Sequence, residues 1–153
     1  MAIEAPLSRY KRTNLYIYIG VCLVMASWFA YDGYLNQKFI AEHTDEQGQP
    51  NSTLVINRVS PPFLVVGSAL LGGYLYLIRN RKVVAADDAL IIAGKRRIPY
   101  DAIEKIDKTH FEKKGFFTIT YKNEQGATAQ RTLGDREYDK LGPILDHLIA
   151  QIS

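Results

Sequence analysis

The pattern of polar and apolar positions sets two long uncharged runs apart from the rest of the chain. Residues 13–31 and residues 59–78 contain no Lys, Arg, Asp or Glu. A helix needs roughly 20 residues to cross a hydrocarbon core of about 30 Å, and each run has about that length. Tyrosine, tryptophan and phenylalanine crowd the ends of both runs, as amphipathic rings do at the headgroup region of a bilayer. The pattern therefore predicts two transmembrane helices.

Two other interpretations of these runs exist. They would fit a pair of buried core helices in a soluble protein, and the first run would also fit a secretory signal peptide. A chain of 153 residues has little other mass with which to cover two uncharged helices. The first run is also longer than the apolar part of a signal peptide, and Ala26-Ser27-Trp28 is a poor cleavage site.

Basic residues beside the runs predict their orientation. They are more numerous before the first run and after the second than in the connecting loop: Arg9, Lys11, Arg12, then Lys38 and Arg58 in the loop, then Arg79, Arg81 and Lys82. Lys and Arg near the ends of a span stay on the cytoplasmic side. We therefore expect an inner (plasma) membrane protein of a bacterium with two spans, both termini in the cytoplasm and the loop outside.

This reading divides the chain into five segments. They are a cytoplasmic N-terminal segment at 1–12, a first transmembrane helix at 13–35, an extracytoplasmic loop at 36–60, a second transmembrane helix at 61–79 and a cytoplasmic domain at 82–153. The second helix is expected to begin at Pro61-Pro62, because proline suits the first turn of a helix. Within the loop, Thr53 to Ile56 is a short β-like run.

Small residues recur four positions apart in both runs. These residues are Ala26 and Ala30 in the first run, and Ser68, Ala69, Gly72 and Gly73 in the second. Small residues at that spacing let helix backbones approach closely in lipid. The faces would either pack the two helices against each other or contact another membrane protein. Neither run contains an ionisable residue, which argues against an ion path or a transporter site.

From Lys82 onward the period becomes that of short strands separated by turns. The runs 83–86, 89–93, 96–100, 103–111, 116–121 and 127–133 predict about six strands in a meander. Apolar residues from Tyr138 to Ile152 then recur three and four apart, which predicts a C-terminal amphipathic helix. Pro143 either kinks this helix or lies in its first turn, with a start near Leu141. The fold class is therefore α+β.

One stretch of this domain resembles a known family. The sequence R-I-P-Y-D-A-I-E-K-I at 97–106 is similar to bacterial pleckstrin-homology-like (PH-like) domains, which often follow one or two transmembrane helices. The resemblance covers residues 82–153 and implies a small barrel of seven strands closed by a C-terminal helix. Six strands are visible in the sequence, so either two are merged around Thr109 or the sheet is trimmed.

The resemblance also implies a candidate binding site. Eukaryotic relatives bind phosphoinositides in a basic pocket between early strands, and the matching positions here are Lys95, Arg96 and Arg97. Three positive charges close to a membrane would suit a phosphate group. The other interpretation of these residues is a solvated turn at the membrane surface.

No arrangement typical of catalysis, metal binding or cofactor binding stands out in the sequence. His110 and His147 lie far apart, and Cys22 is the only cysteine, so no intramolecular disulfide is possible. We therefore expect no enzyme and no nucleic-acid partner. The expected function is an interaction or accessory protein that anchors its domain at the membrane and docks a protein partner or membrane complex. The alternative is binding of anionic lipid headgroups through Lys95, Arg96 and Arg97.

Overall fold

The computed structural model describes residues 2–152, which form two compact units. The sheet domain comprises residues 2–12 and 78–152, and the hairpin comprises residues 13–77. The elements in chain order are β1 (Ile3–Pro6), α1 (Arg9–Ala30), a π-helical segment (Tyr31–Leu35), α2 (Gln37–Glu42), α3 (Ser52–Ile78), β2 (Lys82–Ala85), β3 (Ala89–Ile92), β4 (Arg96–Pro99), a 3₁₀ turn (Tyr100–Ala102), β5 (Ile103–Asp107), α4 (Phe111–Lys114), β6 (Phe116–Lys122), β7 (Thr128–Gly134) and α5 (Leu141–Ile152).

The strands of the sheet domain form two antiparallel sheets. The first has the order β1-β2-β3-β4, the second has the order β5-β6-β7, and within residues 2–152 neither closes into a barrel. The α+β class is thus confirmed, with two long apolar helices, two sheets and a C-terminal helix. Buried side chains from both sheets and from α5 share one apolar core, whose largest fully buried members are Tyr138, Phe117, Leu90, Ile98, Ile119, Leu133, Ile144 and Leu148.

Strand β1 comes from the N-terminal segment, to which the sequence analysis assigned no strand. Ala5 and Leu7 are buried while Glu4 and Pro6 are not, which is the alternation of a strand with one face on a core. Its residues pair with β2 in the register Ile3 to Ala85 through Pro6 to Lys82. The strand is too short for its alternation to stand out in the sequence. The whole hairpin also separates it in the chain from the other strands.

Residues 2–152 therefore contain seven strands, and the seventh is β1. Neither of the two expectations, merged strands near Thr109 or a trimmed sheet, is the reason for the six strands visible in the sequence. The region around Thr109 does not hide an extra strand, because β5 ends at Asp107 and the single turn of α4 follows at Phe111. At the other end of the domain, α5 begins at Leu141 with Pro143 in its first turn. Of the two expectations for Pro143, the first-turn position is confirmed, where the missing N–H has no intrahelical partner to lose.

Ser8 joins the N-terminal strand to the first long helix and to the end of the sheet domain. Its side chain is fully buried, and its Oγ donates to the Arg136 carbonyl at 2.6 Å while accepting from the Lys11 amide at 3.1 Å. The second of these bonds caps the N-terminus of α1. The Asp139 carboxylate accepts from the next free amide, that of Arg9, at 3.0 Å. The helix thus starts directly from the folded domain.

In the hairpin, α3 begins at Ser52, so the expected start at Pro61 is wrong. Asn51 precedes the helix and its Oδ1 accepts from the Leu54 amide at 3.1 Å, which satisfies one of the free donors at the helix N-terminus. The run Thr53 to Ile56, read as β-like, is helical for the same reason. Pro61 and Pro62 therefore lie inside the helix, where they cannot donate to the carbonyls of Asn57 and Arg58.

Residues of the π-helical segment meet α3 at these two carbonyls. The Tyr34 hydroxyl donates to the Arg58 carbonyl at 2.9 Å, and Arg58 Nε donates to the Gly33 carbonyl at 2.9 Å. A Cβ on Gly33 would lie 3.0 Å from the carbonyl carbon and oxygen of Asn57, so a side chain there would push the backbones apart. This loop-end contact lets Tyr34 bond a carbonyl that Pro62 leaves without its helical donor.

Both long helices bury a stripe whose spacing alternates between three and four residues. In α3 the stripe consists of Leu54, Asn57, Pro61, Leu64, Ser68, Leu71, Leu75 and Ile78, and in α1 with the π-helical segment it consists of Leu15, Ile19, Cys22, Ala26, Phe29 and Gly33. Some neighbouring positions, among them Gly67, Gly72 and Ala30, are half-buried beside it. Such a spacing is typical of two helices that pack side by side with a slight left-handed twist. The remaining faces of both helices are largely exposed.

Removing the Ser8 hydroxyl should destabilise the sheet domain. We expect Ser8→Ala to lower the free energy of unfolding by about 1–3 kcal/mol, because the helix loses its cap and the Arg136 carbonyl loses a buried donor. Denaturant unfolding of the full chain in mild detergent would measure this. The control is Ser27→Ala, which removes an exposed hydroxyl bonded within its own helix. Equal stability of the two variants would contradict the role assigned to Ser8.

The loop-end contact generates a second prediction. Tyr34→Phe should lower the stability of the hairpin by about 1 kcal/mol, because no hydroxyl then reaches the Arg58 carbonyl and the helical donor is already missing at Pro62. Detergent-induced unfolding of the full chain, followed by the fluorescence of Trp28, would measure the loss. Tyr31→Phe, at an exposed position one turn earlier, should have little effect. If both substitutions had the same effect, the hydrogen bond would not stabilise the contact.

Candidate anion-binding site

One end of the first sheet is defined by the two long helices. Helix α1 begins shortly after Pro6, α3 ends shortly before Lys82, and these two residues pair at the last rung between β1 and β2. We call this the helix end of the sheet. At the same end, the Ala93 amide donates to the Lys82 carbonyl at 2.8 Å, and Ile92 pairs with Arg96. The β3–β4 turn therefore lies at the helix end.

The first sheet is polarised in charge along its strands. Lys82, Lys95 and Arg96 lie at the helix end, while the β2–β3 turn at the opposite end carries Asp87 and Asp88. The negative field of that far turn acts on Tyr100, whose pKa is raised above its usual value by burial and then by Asp88 and Asp87. Strand register thus places Lys95 and Arg96 at one end and Asp87 and Asp88 at the other, whereas Lys82 and Arg97 are each paired with a carboxylate, Glu4 and Asp88 respectively.

A tight turn holds Lys95 at this end. Ala93 has a φ of 56° and Gly94 a φ of 67°, and the Lys95 amide donates to the Ile92 carbonyl at 3.1 Å. The positive φ of these two residues reverses the chain within the three residues 93–95 that separate the paired Ile92 and Arg96. Glycine adopts this conformation without strain, whereas Ala93 is an uncommon choice there.

A groove of about 570 Å³ opens between β4 and the β6–β7 hairpin. Its floor includes the buried side chains of Ile98 and Tyr121. The basic residues on its lining are Lys95, Arg96, Arg97 and Lys122, against one acidic residue, Glu124. The volume falls within the range of small-molecule sites, roughly 300–1,000 Å³, and the lining favours an anion.

The three basic residues singled out from the sequence border this groove but do not converge on one point. Arg96 Nη1 donates to the Tyr121 hydroxyl at 3.3 Å, on the side of the second sheet. Arg97 forms an ion pair with Asp88, at the acidic end of the sheet. The two arginines diverge because successive residues of a strand point to opposite faces. Lys95 extends from the turn with its side chain exposed.

Lys122 is the residue of the groove that sequence reasoning missed. It ends β6, on the far side of the groove from Lys95, and its Nζ lies 3.5 Å from the Glu104 carboxylate. Both side chains of that pair are about half exposed, so the pairing is weak and leaves the ammonium available. Its hairpin turn was predicted, but the sequence carries no signal that this turn folds next to the β3–β4 turn.

The small residues of the two long helices fall on different faces. Ala26 and Ser68 are buried on the stripes described above, and Ala30 and Gly72 are half-buried beside them. Ala69 and Gly73 are exposed, and no described atom would lie within 4 Å of a Cβ on Gly73. The two histidines singled out earlier also contact different rings: His110 packs against Phe116 in a tilted arrangement, and His147 meets Tyr100 edge to face.

Within residues 2–152 no group of three or more His, Cys, Asp or Glu residues is placed to hold a metal ion. Comparison of the chain with protein-family models, with curated proteins and with solved structures gives no match.

Proposed function

We propose that this chain is a two-span membrane protein whose sheet domain binds anionic, phosphate-bearing headgroups of its own bilayer through the groove beside β4. The observation that carries this proposal is the register of the first sheet. It brings Lys95 and Arg96 to the end at which the chain enters α1 and returns from α3. A domain tethered at that end presents its basic residues toward the headgroup layer.

The exposure of the two long helices supports their assignment to a membrane. Each long helical segment extends over 27 residues, and only 11% and 22% of their most apolar stretches is buried. A core helix of a soluble protein would be mostly covered, and large apolar residues such as Trp28, Phe63 and Leu70 would be costly in water. A bilayer removes that cost.

Strand β1 argues against a cleaved signal sequence. Cleavage after the first apolar run would remove Ile3–Pro6, and with it one of the four strands of the first sheet. The pairing of β1 with β2 also requires the two ends of the hairpin to lie on one side of the membrane. The excess of Lys and Arg at those ends favours the cytoplasmic side.

The chemistry of the groove suits a phosphate monoanion or diester. Lys95 and Lys122 offer point charges, and Arg96 offers a planar set of donors that matches phosphate oxygens. Each basic residue close to an anionic leaflet contributes about 1 kcal/mol of attraction, which salt weakens. Arg97 contributes less because Asp88 already neutralises it.

The fold relationship is part of the same proposal. A PH-like assignment is supported by four plus three antiparallel strands followed by a C-terminal helix, with β1 as the strand that the sequence analysis did not find, whereas the closed barrel that the resemblance implies is not seen in residues 2–152. In this view the hairpin is inserted between the first and second strands. The groove lies where the β3–β4 turn and the β6–β7 turn meet.

The test compares two sets of variants of the full chain in nanodiscs. Discs of phosphatidylcholine alone and discs that also contain phosphatidylglycerol are compared by hydrogen–deuterium exchange. In the native chain, phosphatidylglycerol should protect residues 93–97 and 121–126. Lys95→Gln/Arg96→Gln/Lys122→Gln should raise the phosphatidylglycerol fraction needed for half-maximal protection by about tenfold or more. The matched control, Arg97→Gln, should have a much smaller effect.

Two results would overturn the proposal. One is an absence of phosphatidylglycerol-dependent protection at the groove in the native chain. The other is an equal loss for the triple variant and for several unrelated lysine substitutions, which would indicate general surface charge. Unchanged far-ultraviolet circular dichroism would establish that the triple variant remains folded.

A second candidate function is docking of another membrane protein, as an accessory subunit. The observation that favours it is the exposed pair Ala69 and Gly73, which lies outside the buried stripe of α3 and leaves open space for an approaching backbone. Ala69→Leu/Gly73→Leu should then abolish co-purification of a stoichiometric partner from native membranes in mild detergent. Gly20→Leu, at another open glycine, is the control and should retain the partner. Recovery of the same proteins with both variants would contradict this function.

A further inference from the structure

A second basic cavity lies at the opposite corner of the sheet domain. It has a volume of about 660 Å³ and lies between α4 with the start of β6 and the segment that follows β7. Its basic residues are Lys113, Lys114 and Arg136, and its acidic residues are Glu112 and Asp135. The half-buried ring of Phe116 forms part of its wall. The groove described above shares no lining residue with it.

Contacts of Arg136 place this cavity at the helix end of the domain. The Arg136 carbonyl accepts from Ser8 Oγ, the side chain that caps α1. The Arg136 guanidinium carbon lies 5.8 Å from the centre of the Tyr10 ring, in the first turn of the same helix. The cavity therefore adjoins the point at which α1 leaves the sheet domain.

The two basic sites lie at opposite edges of the first sheet. The groove borders β4, and the second cavity adjoins the chain that follows β1, which is the other edge strand. The segment after β7 is tied to that edge by the Ser8 amide, which donates to the Glu137 carbonyl at 3.0 Å, and by the Asp139 amide, which donates to the Pro6 carbonyl at 2.9 Å. Each edge strand of the first sheet thus has a basic site beside it.

The wall of the cavity is a defined structure. Gly115 ends α4 with a φ of 68°, and its carbonyl accepts from the Asp135 amide at 2.9 Å. A Cβ at Gly115 would lie 2.0 Å from Asp135 Oδ2, so the carboxylate is folded over the glycine. The same turn brings Lys113 and Lys114 onto the lining.

We infer that this cavity is a second contact for the phosphate of an anionic lipid in the bilayer that anchors the chain. The inference rests on the proposed function, because it takes the helix end of the domain to face the headgroup layer. One contact leaves the domain free to rotate about its tether, whereas a contact beside each edge strand of the first sheet fixes its orientation. Two tethered sites also reinforce each other, since binding at one holds the other close to the lipid.

The test uses the full chain in the same two kinds of nanodisc and follows the two sites separately. Phosphatidylglycerol should protect residues 111–116 from hydrogen–deuterium exchange. Lys113→Gln/Lys114→Gln should raise the phosphatidylglycerol fraction required for that protection by about tenfold. Protection of residues 93–97 should persist. Lys113→Arg/Lys114→Arg should restore the native response at 111–116.

The matched control removes the same charge from β5 and the residue that follows it, outside the cavity. Lys105→Gln/Lys108→Gln should leave protection of residues 111–116 unchanged. If this control lowers the protection as much as the lysine pair in the cavity does, the attraction is diffuse and the second site is overturned. Protection at 93–97 without any at 111–116 overturns the second site and leaves the groove in place. Absence of protection at both overturns both.

Discussion

The structure depends on the antiparallel pairing of β1 with β2. These strands are neighbours in the sheet but are separated in the chain by the whole hairpin, so the sheet domain requires residues from both ends of the sequence. The pairing brings the start of α1 and the end of α3 to one edge of the domain, and Ser8 then caps α1 with a hydroxyl that also bonds the end of the domain. The helices and the sheet are therefore connected by two short, hydrogen-bonded segments.

The distribution of charged residues over the first sheet follows from this pairing. Because the strands are antiparallel, alternate turns fall at opposite ends, and the basic β3–β4 turn comes to the helix end while the acidic turn at Asp87 and Asp88 goes to the other. Adjacent arginines are separated by the same geometry: Arg96 reaches toward Tyr121 and Arg97 toward Asp88. A cluster that is continuous in the sequence is thus divided: Arg97 lines the groove but is paired with Asp88, and Lys122 joins Lys95 and Arg96 from another turn.

The hairpin shows how a long helix accommodates internal prolines. Pro61 and Pro62 leave two carbonyls of α3 without their helical donors, and a glycine and a tyrosine of the π-helical segment meet the chain at that place. Ala26 and Ser68 are used within the hairpin, whereas Ala69 and Gly73 are left on its surface. The small residues therefore serve two different faces, although their four-residue spacing is the same.

The sequence by itself determined the local features of this protein. Two apolar runs, six of the seven strands within residues 2–152 and the apolar face of the final helix follow from periodicity and turn residues, because these act over a few neighbouring positions. The sequence left open whether Pro143 kinks that helix or lies in its first turn, and the structure places it in the first turn. The tertiary structure decided what depends on distant residues. It made Ile3–Pro6 a strand by supplying β2 as a partner, and it drew Ser52 into a helix whose start the prolines had suggested at Pro61. It also placed Lys122 on the same groove as Lys95, since only the packing of the two sheets brings separate turns to one groove.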